Sequence, residues 1–346
     1  MTGASDMIDW DLAVRLGSRI ATDGPKVTRE EAEAAVEELR DDAARSTQLV
    51  RDFTGLEAPD GTAPVLVIDR KGWVQANADG FKTVLAPLVD KLTEKRPPSG
   101  AAKVIGRKIT GAEVGGLLGF LCTKVLGQFD PFFSPAGRLL LVAPNIVHIE
   151  RELGVDPTDF RLWVCLHEET HRVQFTANPW LRDHLFDQVG QLAGLTDAGS
   201  LLDDLVGRIA QVVRGDGPTG SLIDLVSTPE QREIFDRLTA VMSLLEGHAD
   251  VVMDGVGPKV IPSVEHIRSK FTERRKGVGT LDRILRRLLG LDAKMAQYRD
   301  GATFVRHVVD ALGMERFNTI WTGPDTLPTL AEIHDPEAWI QRVPGL

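Results

Sequence analysis

One stretch constrains this chain more than any other: "RLWVCLHEETHRVQF", from Arg161 to Phe175. Successive helical residues turn by about 100°, so residues four apart share a face. His167 and His171 therefore project together from a helix that runs apolar for several residues before them, with Glu168 one step round. Leu162, Cys165 and Leu166 before them and Phe175 after them mark the helix as buried. Two imidazoles and a carboxylate are costly to bury unless they are paired or bind a cation. Neutral imidazole suits zinc at roughly 2 Å. Glu168, offset from the two imidazoles, stands where it can take a proton from an attacking water rather than coordinate. This is the HExxH arrangement.

A catalytic zinc takes three protein ligands and keeps one position open. Position 177 is Ala, so the extended motif with a further His six residues after His171 is absent, and the third ligand comes from elsewhere. The best source is "LLEGHADVVMD". Ile234, Leu238, Val241, Met242, Leu245, Ala249 and Val252 mark the apolar face of a helix, and Glu246 falls on that face. Asp250, four residues on, is placed to accept the free N–H of a ligand imidazole. His248 is the rival ligand. Positions two apart on a helix diverge by about 200°, so Glu246 and His248 do not both face one ion.

The helical pattern extends over most of the chain. Thr28 and Glu31 form a capping box at the head of one helix, which Gly55 ends. Asp156 and Pro157 open the helix that carries His167 and runs to about Thr176. Thr228, Pro229 and Gln231 open the helix that carries Glu246, with Gly255 as its expected end. The clearest strand is "GRLLLVAPN", Gly137 to Asn145, and Asn145 is placed to cap the short helix that Gly154 stops. The proline-punctuated tail is expected to wrap over the surface. The expected fold class is mainly α, of the α+β kind, with a short sheet edge and the HExxH helix. Residues 1–95 read as an N-terminal helical region, 96–104 as a linker and 105–346 as the catalytic region.

Gly111, Gly115, Gly119 and Gly127 recur at multiples of four in the most apolar window, with Thr123 filling the gap. Glu113 and Lys124 interrupt that window well short of the ~18 apolar residues of a spanning helix, so it reads as a closely packed core helix. The net charge of -10 disfavours nucleic acid as a partner. Two cysteines, Cys122 and Cys165, make no disulfide framework, and the N-terminus lacks a basic start followed by an apolar run. A cytoplasmic protein is expected. The basic run between Arg268 and Arg287 reads as a solvated helix face.

HEETH with a downstream E-G-H-A-D resembles the gluzincin metallopeptidases, which pair HExxH with a later E-x-x-x-D helix. The longer string "LLLVAPNIV…LHEETHRVQF…PWLRDHL…LLEGHADVVMD…KMAQY" resembles an actinobacterial family of zincin-like hydrolases associated with deazaflavin cofactor biosynthesis. The resemblance implies a zincin-like fold, a zinc ion held by His167, His171 and Glu246, Glu168 as general base, and Asp250 behind the ligands. The expected reaction is hydrolysis of an amide bond, in a peptide first and in a small molecule second. The resemblance also offers "RLLLVAP" as an edge strand along which substrate would lie, against the plainer reading of a core strand. A donor for the tetrahedral oxyanion is sought in Tyr298, the only tyrosine, or in His248 or His307.

Overall fold

The computed structural model describes residues 7–59, 61, 63–95, 100–195, 228–276, 291–343 and 345, with the backbone alone at 87–95, 100–103, 193, 275–276 and 291–299. Contacts divide the chain into two units, Met1–Asp183 with Val252–Phe271, and His184–Val251 with Thr272–Leu346.

The first unit begins with α1 (Trp10–Ile20) and α2 (Arg29–Thr54). Thr28 and Glu31 make the expected capping box, with Glu31 N donating to Thr28 Oγ1 at 3.1 Å and Thr28 N to Glu31 Oε2 at 2.8 Å. Gly55 ends α2 at φ 69°, in the left-handed region that favours glycine. After β1 (Val65–Ile68) come α3 (Arg70–Lys95) and α4 (Gly100–Leu121), and residues 96–99 of the proposed linker lie outside the described residues. β2 (Gly127–Asp130), β3 (Arg138–Val142), α5 (Ala143–Leu153) and α6 (Pro157–Ala177) follow.

The sheet has the order β1-β3-β2, with β3 parallel to β1 and antiparallel to β2. The "RLLLV" strand is therefore central, and all five of its residues are buried. The edge-strand expectation for it fails: both of its edges are hydrogen-bonded, one to β1 and one to β2. Its side chains alternate. Leu140 and Val142 join Trp10, Trp73, Val74 and Leu118 from α1, α3 and α4. Leu139 joins Phe129 and Ala63, with Phe175 of α6 packed against them. Arg138 and Asp130 face each other across β3 and β2 as a buried ion pair at 3.0 Å.

The glycine row divides in two. A methyl group at Gly111 would meet Asp9 O at 2.5 Å, at Gly115 it would meet Ala13 O at 2.6 Å, and at Gly119 it would meet Gly17 O at 2.9 Å. These three glycines bring the backbone of α4 against α1, as a packed helix requires. Gly127 belongs to β2, beyond the end of α4 at Leu121. Val104, Ile105 and Ile109 of α4 are exposed, so it is not a helix buried all round. Among the described residues, no helix is long and apolar enough to cross a membrane.

Three further local expectations are corrected. α5 starts at Ala143, before Asn145. Asn145 is buried in its first turn, where Nδ2 donates to the carbonyls of Cys122 and Val125 and Oδ1 accepts from Arg70 Nε. An amide with that many nonlocal partners is held by tertiary structure rather than by a cap. The helix opened by Pro229, α8 (Pro229–Val260), passes through Gly255 instead of ending there. Gly255 lies under the Phe53 ring of α2, so its missing side chain serves packing.

The second unit holds α7 (Trp180–Leu195) from His184 onward, α8 up to Val251, the described part of α10 (Leu291–Leu312) and the tail; α9 (Val264–Lys276) starts in the first unit. Gly247 and Gly301 let α8 and α10 touch backbone to backbone. The tail folds into α11 (Met314–Phe317), α12 (Leu330–His334), α13 (Pro336–Arg342) and short 3-10 turns. It is not a surface wrap. Trp339 is fully buried beside Phe304 and its Nε1 donates to Thr326 O at 2.8 Å.

Candidate metal centre

α6 is set by its ends. Asp156 caps it by accepting from Asp159 N at 3.0 Å, and Pro157 occupies its first turn. A cap of this kind contributes about 1 kcal/mol. Asp159 Oδ2 in turn holds Ser263 N and Oγ at 2.9 and 2.6 Å. The helix packs along α2 through a ladder of polar contacts. Arg161 pairs with Glu38 and, at 2.7 Å, with Glu150. Glu169, with no exposed surface, accepts from Arg172 Nε at 2.7 Å and from Thr47 Oγ1 at 3.1 Å. Burial pushes the Glu169 carboxyl above its ordinary range, against the pull of Arg172 and Thr47. Burial likewise raises the Cys165 thiol, so Cys165 stays a neutral core residue whose sulfur approaches Leu39 O.

The other side of α6 carries the motif. The rings of His167 and His171 stand edge to face at 88° with centroids 4.8 Å apart, and their Nε2 atoms are 3.3 Å from each other. Two imidazole nitrogens at that distance, both half-buried, are close enough to share one cation. His171 Nδ1 lies 2.9 Å from the side-chain oxygen of Gln174, which is wholly buried.

Glu168 is buried beside the start of β2. A methyl group at Gly127 would fall 2.5 Å from its Cγ and 2.8 Å from its Oε1. Only glycine leaves that space, and Gly127 is the residue that sequence reasoning misplaced. Its fourfold spacing with Gly111, Gly115 and Gly119 disguised a strand residue as part of a helix row. Gln174 was missed as well. Its position three residues after His171 was visible, but nothing local showed which way its amide pointed.

On α8, Glu246 is half-buried. The ligand atoms of His167, His171 and Glu246 lie within 4.8 Å of one another, a group that could hold a metal ion. Two neutral nitrogens and one carboxylate suit zinc. The neighbours of Glu246 have other surroundings. His248 is fully buried, stacked on Phe317 at 5.5 Å and edge-on to Trp321 at 5.3 Å. Asp250 pairs with Arg306 at 2.7 Å. His307 pairs with Glu337 at 2.8 Å. The side chain of Tyr298 lies outside the described residues, as does the basic run from residue 277 to 287.

Comparison with known proteins follows the same lines. A family model described as "Zincin-like metallopeptidase" matches residues 8–340. A crystal structure described as that of "a putative hydrolase with a novel fold", from Chloroflexus aurantiacus, is 33% identical, covers 97% of this chain and 98% of its own, and superposes with a TM-score of 0.72. No curated protein matches.

Proposed function

The chain belongs to the zincin-like metallopeptidase family, and from that premise we propose that it is a zinc-dependent hydrolase acting on an amide bond, with a peptide as the first choice of substrate. The observation that carries this reading is the convergence of His167, His171 and Glu246, with Glu168 buried one residue along from the first imidazole. His167 and His171 are the proposed nitrogen ligands through Nε2, and Glu246 the carboxylate ligand.

Zinc, when bound, makes water more acidic and polarises a carbonyl oxygen. Glu168 takes the proton from the attacking water and delivers it to the nitrogen of the departing amine. A proton is thus moved from one oxygen to one nitrogen, and the carboxylate is regenerated. The space opened by Gly127 holds the Glu168 carboxylate in that position. Water is restricted because Glu168 is only 8% exposed and Leu166 and Thr170 beside it are buried.

The peptide preference is supported by β2. Among the described residues this strand has one hydrogen-bonded neighbour, β3, and it starts beside Glu168. A strand with one unpaired edge can accept an extended chain alongside it. That role passes from the central "RLLLV" strand to β2.

The test combines metal analysis with turnover. Purified protein is expected to hold about one zinc, and His167→Ala or Glu246→Ala to lower that content. A panel of peptides and small-molecule amides is then offered to the parent and to the chelator-stripped protein. Zinc-dependent cleavage of a peptide supports the reading, and cleavage of small amides alone would replace the peptide by a smaller substrate. Tight zinc binding with no cleavage across the panel would overturn it in favour of a binding or scaffold role.

A further inference from the structure

We infer that Gln174 is a positioning residue for the metal centre: its side-chain carbonyl holds the Nδ1–H of His171 and so directs Nε2 toward the shared ion. The inference rests on the ligand assignment proposed above and extends it to a residue outside the HExxH motif.

An imidazole has one protonated and one unprotonated nitrogen when neutral, and only the unprotonated one can bind a metal. Which nitrogen is free depends on what the other one touches. His171 Nδ1 faces Gln174 Oε1 at 2.9 Å, while Nε2 faces the other imidazole at 3.3 Å. An acceptor at Nδ1 keeps the proton there. The ring then needs no reorganisation when an ion arrives.

Gln174 is built to stay in place. It has no exposed surface, and it lies one turn after His171, on the same face of α6. Its own backbone carbonyl accepts from Asn178 Nδ2 at 2.9 Å, which fastens the last turn of the helix. On the neighbouring strand, Phe129 stacks on Phe175 at 5.4 Å and fixes this part of α6 against the sheet. A buried amide has few rotamers open to it, so its orientation is set before metal binds. A neutral acceptor also differs from a carboxylate. It orients the ring while adding no negative charge beside the ion, which leaves Glu246 as the one anionic ligand of the proposed set.

The experiment uses the whole chain, stripped of metal and titrated with zinc against a chromophoric chelator. Gln174→Leu, similar in volume and without an acceptor, is expected to weaken zinc affinity by about 10- to 100-fold. Gln174→Glu retains an acceptor and is expected to bind within a few-fold of the parent or more tightly. Both variants are compared with the parent by thermal unfolding of the metal-free forms, where a purely structural role would show itself. Long-range proton–nitrogen NMR of the zinc-loaded parent reads the tautomer directly, and Nδ1 of His171 is expected to carry the proton.

Parental zinc affinity in Gln174→Leu, or an affinity in Gln174→Glu as weak as in Gln174→Leu, would overturn the inference, and so would a metal on Nδ1. If Gln174→Leu does not fold, the NMR assignment and the Glu variant decide the matter alone. The two proposals fail in different ways. Parent protein whose zinc affinity is untouched by His167→Ala refutes the ligand set. Parent protein that loses affinity with His167→Ala but not with Gln174→Leu refutes only the role of Gln174.

Discussion

Glu168 and Glu169 are neighbours on one helix, and their surroundings could hardly differ more. Glu169 faces α2, with Arg172 and Thr47 on its carboxylate and no exposed surface. Glu168 faces the head of β2, where the missing side chain of Gly127 gives it room. On the first side of α6, charges are matched by opposite charges: Arg161 with Glu38 of α2 and Glu150 of α5, and Arg172 with Glu169 on α6 itself. On the second side, two imidazoles turn their Nε2 atoms toward each other. The contrast teaches that burial of charge has two separate uses within a single turn of helix. One set of charges neutralises itself and belongs to the architecture. The second side holds the groups that the proposed function gives to metal binding and proton transfer.

That contrast can be broken by experiment, and the widest effect is expected at Glu168. Glu168→Gln should lower hydrolysis of the best panel substrate on the order of 10³-fold, with zinc content unchanged in metal analysis. Turnover at the parental rate would erase the distinction between the two carboxylates. Glu169→Gln should do the converse. It leaves the Arg172 guanidinium buried without its charge partner, a change that costs roughly 3 kcal/mol. Urea unfolding should register that loss while zinc affinity stays close to that of the parent.

Gly127→Ala sharpens the comparison from the strand side. The added methyl group displaces Glu168 by a fraction of an ångström to an ångström, and misplacement on that scale lowers rates by roughly 10²-fold. The effect should appear in kcat, with metal affinity and the Glu169–Arg172 pair unaffected. An Ala variant with parental kcat would show that the Glu168 position does not depend on β2.

The smallest expected effect lies deeper in the α2–α6 seam. Asp42 is buried, and its carboxyl is pushed up from 3.8 to about 6, chiefly by burial and next by Glu38, against the opposing pull of Arg45 and Arg161. Its Oδ2 has no hydrogen-bond partner among the described residues. The folded protein therefore holds this proton more tightly than the unfolded chain does. The corresponding stability is fully present below about pH 3.8 and is lost as pH rises through about 6. Asp42→Asn should raise the midpoint of thermal unfolding by a few degrees at about pH 8, and the gain should shrink toward about pH 4.5. A gain of equal size at both pH values would mean that titration of Asp42 is not its source.

How far the sequence was legible follows the same division. Local signals read well: the Thr28–Glu31 box, the Asp156 cap with Pro157, and the HExxH spacing all depend on residues within one or two turns of each other. The misreadings concern residues whose role is set by something distant. Gly255 reads as a helix end because glycine ends helices, yet Phe53 is what it accommodates. Asn145 reads as a cap, but Arg70, from 75 positions earlier, and two remote carbonyls hold it. "RLLLV" offered no sign of which strands would flank it, so its place at the centre of the sheet could not be told from an edge. Even at the motif, spacing set His171 beside His167, while the direction of the Gln174 amide needed coordinates.

The contact between α1 and α4 has one more consequence. With Gly111, Gly115 and Gly119 lying directly on the main chain of Asp9, Ala13 and Gly17, and Gly119 also against the Ile20 side chain, the distance between these helices is set largely by backbone atoms. Side chains can adapt by changing rotamer, but main chain against main chain leaves no such latitude. Deleting Trp10–Ile20 would therefore uncover a smooth trough along α4 that no rearrangement of its own residues could fill, with Trp73 and Leu118 opened to water beside it. The opening helix is thus a fitted lid on the hydrophobic interior, and trimming it should turn a well-behaved protein into one that aggregates.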